Sequence, residues 1–214
     1  MIGEILPTSV CWSHSFADRV DAVPFPEELA AVAGAVPERR AEFATVRACA
    51  REALAELGVE PAPVLPDENR APRWPAGVVG AMTHCQGYRA AAVARADVVL
   101  TLGIDAEPNA ALPPDVIDLV ARPEDLTGLP ELPAGWGISW ERLLFSAKES
   151  VFKAWYPVRR EWLDFQEASV RFRPDGTFEV RLLKASAAGS PLETLTGRWI
   201  STPQFLATAI VVER

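Results

Sequence analysis

Val98-Val99-Leu100-Thr101-Leu102-Gly103-Ile104-Asp105-Ala106-Glu107 runs from an almost wholly apolar segment into two carboxylates. Residues 98–104 carry the continuous apolar pattern of a strand covered on both faces. Asp105 and Glu107 stand two apart, so extended chain at the strand's end places both on one face. Side by side, two carboxylates repel and raise each other's pKa unless a cation lies between them. Oxygen-only ligands suit a hard ion such as Mg²⁺. An exposed acidic strand end is the other reading of the same pair.

The segments on either side place this strand in a mixed α/β chain. Residues 78–83 and 88–94, joined by a Gln86-Gly87 turn, read as two more strands of a mostly buried sheet. Residues 60–75 hold Pro61, Pro63, Pro66, Pro72 and Pro75 and read as an ordered surface loop. Before it, 37–57 is the clearest helix: Pro37 suits the first turn, Gly58 the stop, and Phe43, Val46, Ala50, Leu54 and Leu57 recur near helical spacing. Its other surface carries Arg39, Arg40, Arg47 and Arg51, which is either a solvated face or an anion site. Downstream come a short helix at 114–120 and a loop containing Pro130, Pro133 and Gly135. A strong helix at 140–156 follows, with a Leu144, Ala147, Val151, Trp155 stripe, and Pro157 is expected to end it. Residues 168–173 and 177–183 alternate around Asp175-Gly176 as a hairpin, and 197–201 and 205–212 add two strands. The expected fold class is α/β (α+β), with two similar halves, 1–102 and 103–214, each holding a long helix and about three strands.

The 214 residues are 49% apolar and 23% charged, enough to bury a substantial core, which excludes disorder for most of the chain. No apolar run approaches the ~18 residues of a membrane span. A net charge of −8 argues against broad attraction to nucleic acid or anionic membrane while leaving room for a local basic pocket. The first residues show no basic leader before an apolar run, and Cys11, Cys49 and Cys85 form no CxxC pair. A cytoplasmic protein with three reduced thiols is expected.

The helix segment Phe145-Ser146-Ala147-Lys148-Glu149-Ser150-Val151-Phe152-Lys153 supplies a second group of charges. Glu149 and Lys153, four apart, share a helix face and would be an ordinary stabilising pair on an exposed helix. Bulky Phe145, Phe152, Trp155 and Tyr156 on several sides indicate an enclosed helix, where an acid and a lysine need partners. A divalent cation for Glu149 and a phosphate for Lys153 would supply them. His84 stands at the end of the 78–83 strand beside Cys85; strand neighbours point to opposite faces, so a Cys–His nucleophile is geometrically poor and a phosphate contact suits His84 better.

Gly103-Ile104-Asp105-Ala106-Glu107 and the Phe145–Lys153 segment resemble the two signature motifs of the Sfp-type phosphopantetheinyl transferases. Met82-Thr83-His84-Cys85 resembles that family's Ser/Thr-His element, and Pro37-Glu38-Arg39-Arg40-Ala41-Glu42-Phe43 its basic N-terminal helix. Order and spacing are kept from Pro37 to Phe165, and actinobacterial siderophore- and lipid-pathway members look nearest. The resemblance implies two halves related by a pseudo-twofold with the active site in the cleft between them. It implies transfer of phosphopantetheine from coenzyme A to a serine of an apo acyl, peptidyl or aryl carrier protein. By position, Asp105, Glu107 and Glu149 would hold Mg²⁺ with the Ala106 backbone near it, and Glu149 would deprotonate the serine. Lys153 would neutralise the attacked phosphate. Thr83, His84, Arg39 and Arg47 would meet the ribose phosphate, the loop around Arg70 would border the adenine, and Leu163 would close over the donor. A lysine that some relatives carry in the Pro-rich loop is Pro66 here, so Arg70 or Arg73 would stand in for it. A cytoplasmic monomer without nucleic acid or membrane partners is expected. A Mg²⁺-dependent phosphodiesterase or nucleotide hydrolase, and a non-catalytic coenzyme A- or carrier-binding subunit, are the alternatives.

Overall fold

The computed structural model describes residues 1–129 and 134–214, so Pro130 and Pro133 of the expected loop lie outside the described residues. The strands are β1 (Val10–Ser15), β2 (Leu65–Pro66), β3 (Pro72–Arg73), β4 (Val78–Cys85), β5 (Tyr88–Arg95), β6 (Val99–Pro108), β7 (Ala168–Phe172), β8 (Thr177–Leu182), β9 (Thr194–Ser201) and β10 (Phe205–Glu213). The α-helices are α1 (Pro26–Leu29), α2 (Pro37–Glu56), α3 (Pro114–Val120), α4 (Pro123–Thr127) and α5 (Trp140–Arg159). A mixed α/β architecture is thus present. No described helix is long and apolar enough to cross a membrane.

The three apolar runs around the opening stretch do not form one sheet. β1, β5 and β4 make a three-stranded antiparallel sheet in that order, whereas β6 is the edge of a second sheet ordered β6-β10-β9-β8-β7. Both edges of β5 are taken, by β4 from Val78↔Arg95 to Cys85↔Tyr88 and by β1 from Val10↔Ala94 to Ser15↔Arg89. β6 finds its full-length partner in β10, from Phe205↔Pro108 to Glu213↔Val99. The strand also runs further than its apolar residues suggest, so Asp105 and Glu107 lie within a ladder rather than beyond a strand end. The Asp175-Gly176 hairpin forms as expected, with Gly176 at φ +84° and the Asp175 carboxylate accepting the Thr177 amide at 3.0 Å.

α2 packs Ala50, Ala53 and Leu54 against Ala91 and Val93 of β5. It stops beside Gly58 at φ +72°, as its sequence predicts. α5 continues through Pro157 to Arg159 instead of ending at Tyr156. In the last turn proline forfeits only the bond its own amide would have made, and the helix is closed by Arg160, at φ +53°, whose amide donates to the Tyr156 carbonyl at 2.8 Å. Leu144, Ala147, Val151, Ala154 and Trp155 bury the inner face of α5 in a core with Phe178, Leu206 and Ile210.

Two threonines bolt α5 to the sheet. Thr208 Oγ1 donates to the Ser146 carbonyl at 2.9 Å, and Thr101 Oγ1 to the Ala154 carbonyl at 2.7 Å. Between them Gly103 lets the helix approach: a Cβ there would fall 2.0 Å from the Ser150 carbonyl oxygen and 2.8 Å from the Ala154 amide nitrogen. Both obstacles are backbone, so Gly103→Ala must push α5 off β6. Overpacking of this kind costs roughly 1–3 kcal/mol, and an equal or higher denaturation midpoint for the variant would contradict the close packing described here.

Candidate functional site

A cavity of about 530 Å³ opens between α2, the β2–β3 hairpin, β4 and α5. Arg39, Arg47 and Arg70 line it together with His84, and Glu149 and Lys153 face it from α5. Phe43, Phe152 and Tyr156 give it an apolar wall.

Of the four helix arginines only Arg39 and Arg47 reach this space. Arg40 donates to the Ala33 and Ala35 carbonyls, and Arg51 to Val23 and Glu28. Arg47 lies 3.9 Å over the Phe43 ring, donates to the Val64 carbonyl at 3.3 Å, and keeps a buried Nε without a hydrogen-bond partner among the described residues. Burial pushes its pKa down to about 10, which leaves it charged at neutral pH.

The loop wall is held by a short clasp. Asp67 accepts the Asn69 and Ala71 amides, both at 2.9 Å, and pairs with Arg160 at 2.8 Å, while Asn69 Nδ2 donates to the Tyr156 hydroxyl at 2.7 Å. Arg70 sits at the tip with φ +66°, its side chain on the cavity. Pro66 lines the same wall.

Asp105 is buried. Its Oδ1 accepts Lys153 Nζ at 2.6 Å and Thr83 Oγ1 at 3.1 Å, and its Oδ2 is buried with no hydrogen-bond partner among the described residues. Thr83 therefore turns toward the acids, also accepting the Ala106 amide at 3.0 Å, rather than toward Arg39 and Arg47. Glu107 pairs with Arg142 at 3.1 Å, an arginine further fixed by the Ala110 and Ala111 carbonyls. Burial first, and then the Asp105 charge, push the Glu107 carboxyl up to about 7 despite Arg142. Burial likewise raises Glu149, with Lys153 opposing and Asp105 adding to the rise, and its carboxylate has no hydrogen bond among the described residues. Lys153 is held charged: burial disfavours the ammonium, but Asp105 and Glu149 outweigh it.

No group of three or more His, Cys, Asp or Glu side chains is gathered into a metal cage among the described residues. The donor set nonetheless fits a divalent cation. Three carboxylates, one with an orphaned buried oxygen and two with raised pKa values, have only Lys153 and Arg142 to set against them and so share a deficit of positive charge.

Leu163 is buried in the core under α5, and its exposed neighbour Trp162 packs on Phe152 at 5.0 Å between ring centroids. Cys85 is buried and its thiol is pushed up to about 12, first by burial and then by Glu107 and Asp105, so it is no nucleophile at neutral pH. Asn69, Tyr156 and Phe43 escaped the sequence reading. Tyr156 counted only as apolar bulk, and nothing local marks Asn69 as its partner 87 residues away.

Sequence comparisons agree along the whole chain. A family model described as the 4′-phosphopantetheinyl transferase N-terminal domain matches residues 26–94, and one for the 4′-phosphopantetheinyl transferase superfamily matches 101–201. The chain is 51% identical to 4′-phosphopantetheinyl transferase Svp of Streptomyces mobaraensis over 99% of its length and 89% of the relative's. It is 42% identical to 4′-phosphopantetheinyl transferase PptT of Mycobacterium tuberculosis, covering 99% and 98% of the two chains. Against 4′-phosphopantetheinyl transferase Npt of Nocardia iowensis it is 41% identical over 98% and 99%. Identity at this level, sustained from end to end, means that the chain belongs to the 4′-phosphopantetheinyl transferase superfamily and is one of its enzymes.

Proposed function

We propose that the protein transfers the 4′-phosphopantetheine arm of coenzyme A to a serine of an apo acyl, peptidyl or aryl carrier protein, releasing adenosine 3′,5′-bisphosphate. The observation that carries this reading is a single cavity lined both by Arg39, Arg47 and Arg70 and by Glu149 with Lys153, which suits a donor with a ribose phosphate and a pyrophosphate. Arg39, Arg47 and His84 take the ribose phosphate, and Arg70 borders the base. Asp105, Glu107 and Glu149 would hold Mg²⁺, with the Ala106 backbone beside them. When bound, the ion supplies positive charge to the pyrophosphate oxygens.

Glu149 takes the proton of the carrier serine, directly or through one water, as the serine oxygen attacks the phosphorus bonded to the pantetheine arm. The bond to the nucleotide phosphate breaks and that phosphate leaves with its charge. Lys153 Nζ neutralises the oxygens of the attacked phosphate. Such a transfer asks the protein mainly for alignment and positive charge, which these residues provide. Thr83 serves by holding Asp105 and the Ala106 amide. We read 1–102 and 103–214 as two similar halves related by a pseudo-twofold, with β6 crossing the junction and the donor in the cleft between α2 and α5, in a cytoplasmic monomer.

The test is to incubate the protein with Mg²⁺, coenzyme A and several apo carriers and weigh the carriers. A mass gain equal to one phosphopantetheine supports transfer. Release of phosphopantetheine with no carrier gaining mass would instead make it a hydrolase, the alternative that the acids and cations alone allow. Arg47→Ala removes a charge-assisted contact of roughly 1.5–3 kcal/mol. It should therefore raise KM for coenzyme A by about tenfold or more with little change in kcat, and an unchanged KM would place the ribose phosphate elsewhere.

A further inference from the structure

Behind Arg39 and His84, which line the cavity, stands an acid that binding an anion does not call for. Glu42 lies one turn along α2 from Arg39, and its Oε1 stands 3.0 Å from His84 Nδ1 while Oε2 accepts from the Arg39 guanidinium. Arg39 Nη1 lies 2.8 Å from His84 Nε2 and 3.4 Å from Nδ1, which puts the guanidinium over the face of the ring. A carboxylate only accepts, so the Glu42 contact places the proton of the neutral imidazole on Nδ1 and leaves the lone pair on Nε2. In that form His84 cannot donate to a phosphate.

We propose, building on the function assigned above, that Glu42 is a positioning residue which holds His84 by Nδ1, so that Nε2 takes a proton when the donor's ribose phosphate draws Arg39 away, and donates it to a phosphate oxygen. The balance is simple: His84 gains one proton from solvent for each donor bound, and no covalent bond changes. The charged groups around the ring make the step conditional on the phosphate. From α2 come Glu42 and Arg39; from β5 comes Arg89, directly across the ladder from His84 and 3.7 Å from Glu42, itself paired with Asp18 at 2.8 Å; from α5 comes Lys153. Burial, Arg39 and Lys153 keep the free ring neutral against the pull of Glu42. A phosphate placed among them reverses the sign of the local field, and Glu42 then completes a carboxylate–imidazolium–phosphate alignment. Glu42 itself stays ionised: burial disfavours its charge, but Arg39, His84 and Arg89 together outweigh that and lower its pKa.

A carboxylate that merely occupies Arg39 until the donor arrives would have the opposite effect, because its removal would relieve repulsion of the phosphate. Calorimetric titrations of the full chain with coenzyme A and with 3′-dephospho-coenzyme A, near neutral pH in two buffers of different ionisation enthalpy, separate the two. The wild type should take up close to one more proton per coenzyme A than His84→Gln, a variant that reports the phosphate's own ionisation. That excess should vanish with the dephosphorylated donor and in Glu42→Gln. Glu42→Gln should also lose about tenfold in coenzyme A affinity, the loss of one hydrogen bond to a charged group, while binding of the dephosphorylated donor changes less than twofold and so vouches for the fold. Coenzyme A binding by Glu42→Gln as tight as wild type or tighter, or no excess proton uptake by the wild type, would overturn the assignment. Failure of the underlying reading looks different: neither donor would bind, and no carrier would gain mass.

Discussion

Glu149→Gln should lower kcat for carrier modification by about 10² to 10⁴-fold, the usual contribution of a positioned base, while coenzyme A still binds and the chain still folds. Glutamine keeps the volume and loses the basic oxygen. No hydrogen bond is forfeited, because the Glu149 carboxylate makes none among the described residues, and Lys153 keeps its 2.6 Å contact with Asp105. Its raised pKa points the same way: burial disfavours the ionised group, so a neutral amide leaves stability equal or slightly higher. That raised pKa also suits the role, since a base whose pKa lies nearer to neutrality accepts a proton with more driving force. Single-turnover mass spectrometry of the carrier, with a thermal melt alongside, makes the measurement. Wild-type turnover in Glu149→Gln would remove the base from the mechanism, and a collapsed melt would mean that the carboxylate is structural.

Chemistry that sits on one element was legible in the sequence, and chemistry made between elements was not. The apolar run into Asp105 and Glu107, the arginine face of α2 and the stripe of α5 are local patterns, and each maps onto the element expected. The partner of β6 could not be read because an apolar strand fits any free sheet edge, and β1, not β6, takes the second edge of β5 while β6 pairs with β10. Nothing in the apolar pattern of their strands marks Thr101 and Thr208 as the residues whose hydroxyls fix α5. The resemblance puts Thr83 with His84 on the ribose phosphate, yet strand neighbours face opposite ways, which sends Thr83 to Asp105 and His84 to Glu42. Leu163 was expected over the donor, but it is Trp162 whose ring is exposed beside Phe152.

Lys153→Met puts both the stability and the chemistry of the site at risk. In the metal-free protein Asp105 is almost fully buried and has one oxygen already unpartnered, so the 2.6 Å ammonium contact and Thr83 are what compensate its charge. Removing one member of a buried pair typically costs 3–5 kcal/mol. The Lys153 side chain is 26% exposed, so water that reaches it screens part of the attraction and about 2–3 kcal/mol is the expected loss. At this chain length that corresponds to a fall of roughly 5–10 °C in Tm. Adding Mg²⁺ should restore part of the fall, because a cation held by Asp105 supplies the missing charge, and Asp105→Asn in the same chain should restore it without any metal. Activity should return in neither case: the ammonium that faces the attacked phosphate is gone, and the loss of one preorganised donor of this kind costs about 10² to 10³-fold in kcat. The double variant separates the two roles of Lys153. Equal melting of Lys153→Met and wild type without metal would show that Asp105 needs no counter-ion, and full activity of Lys153→Met would take the ammonium out of the transfer step.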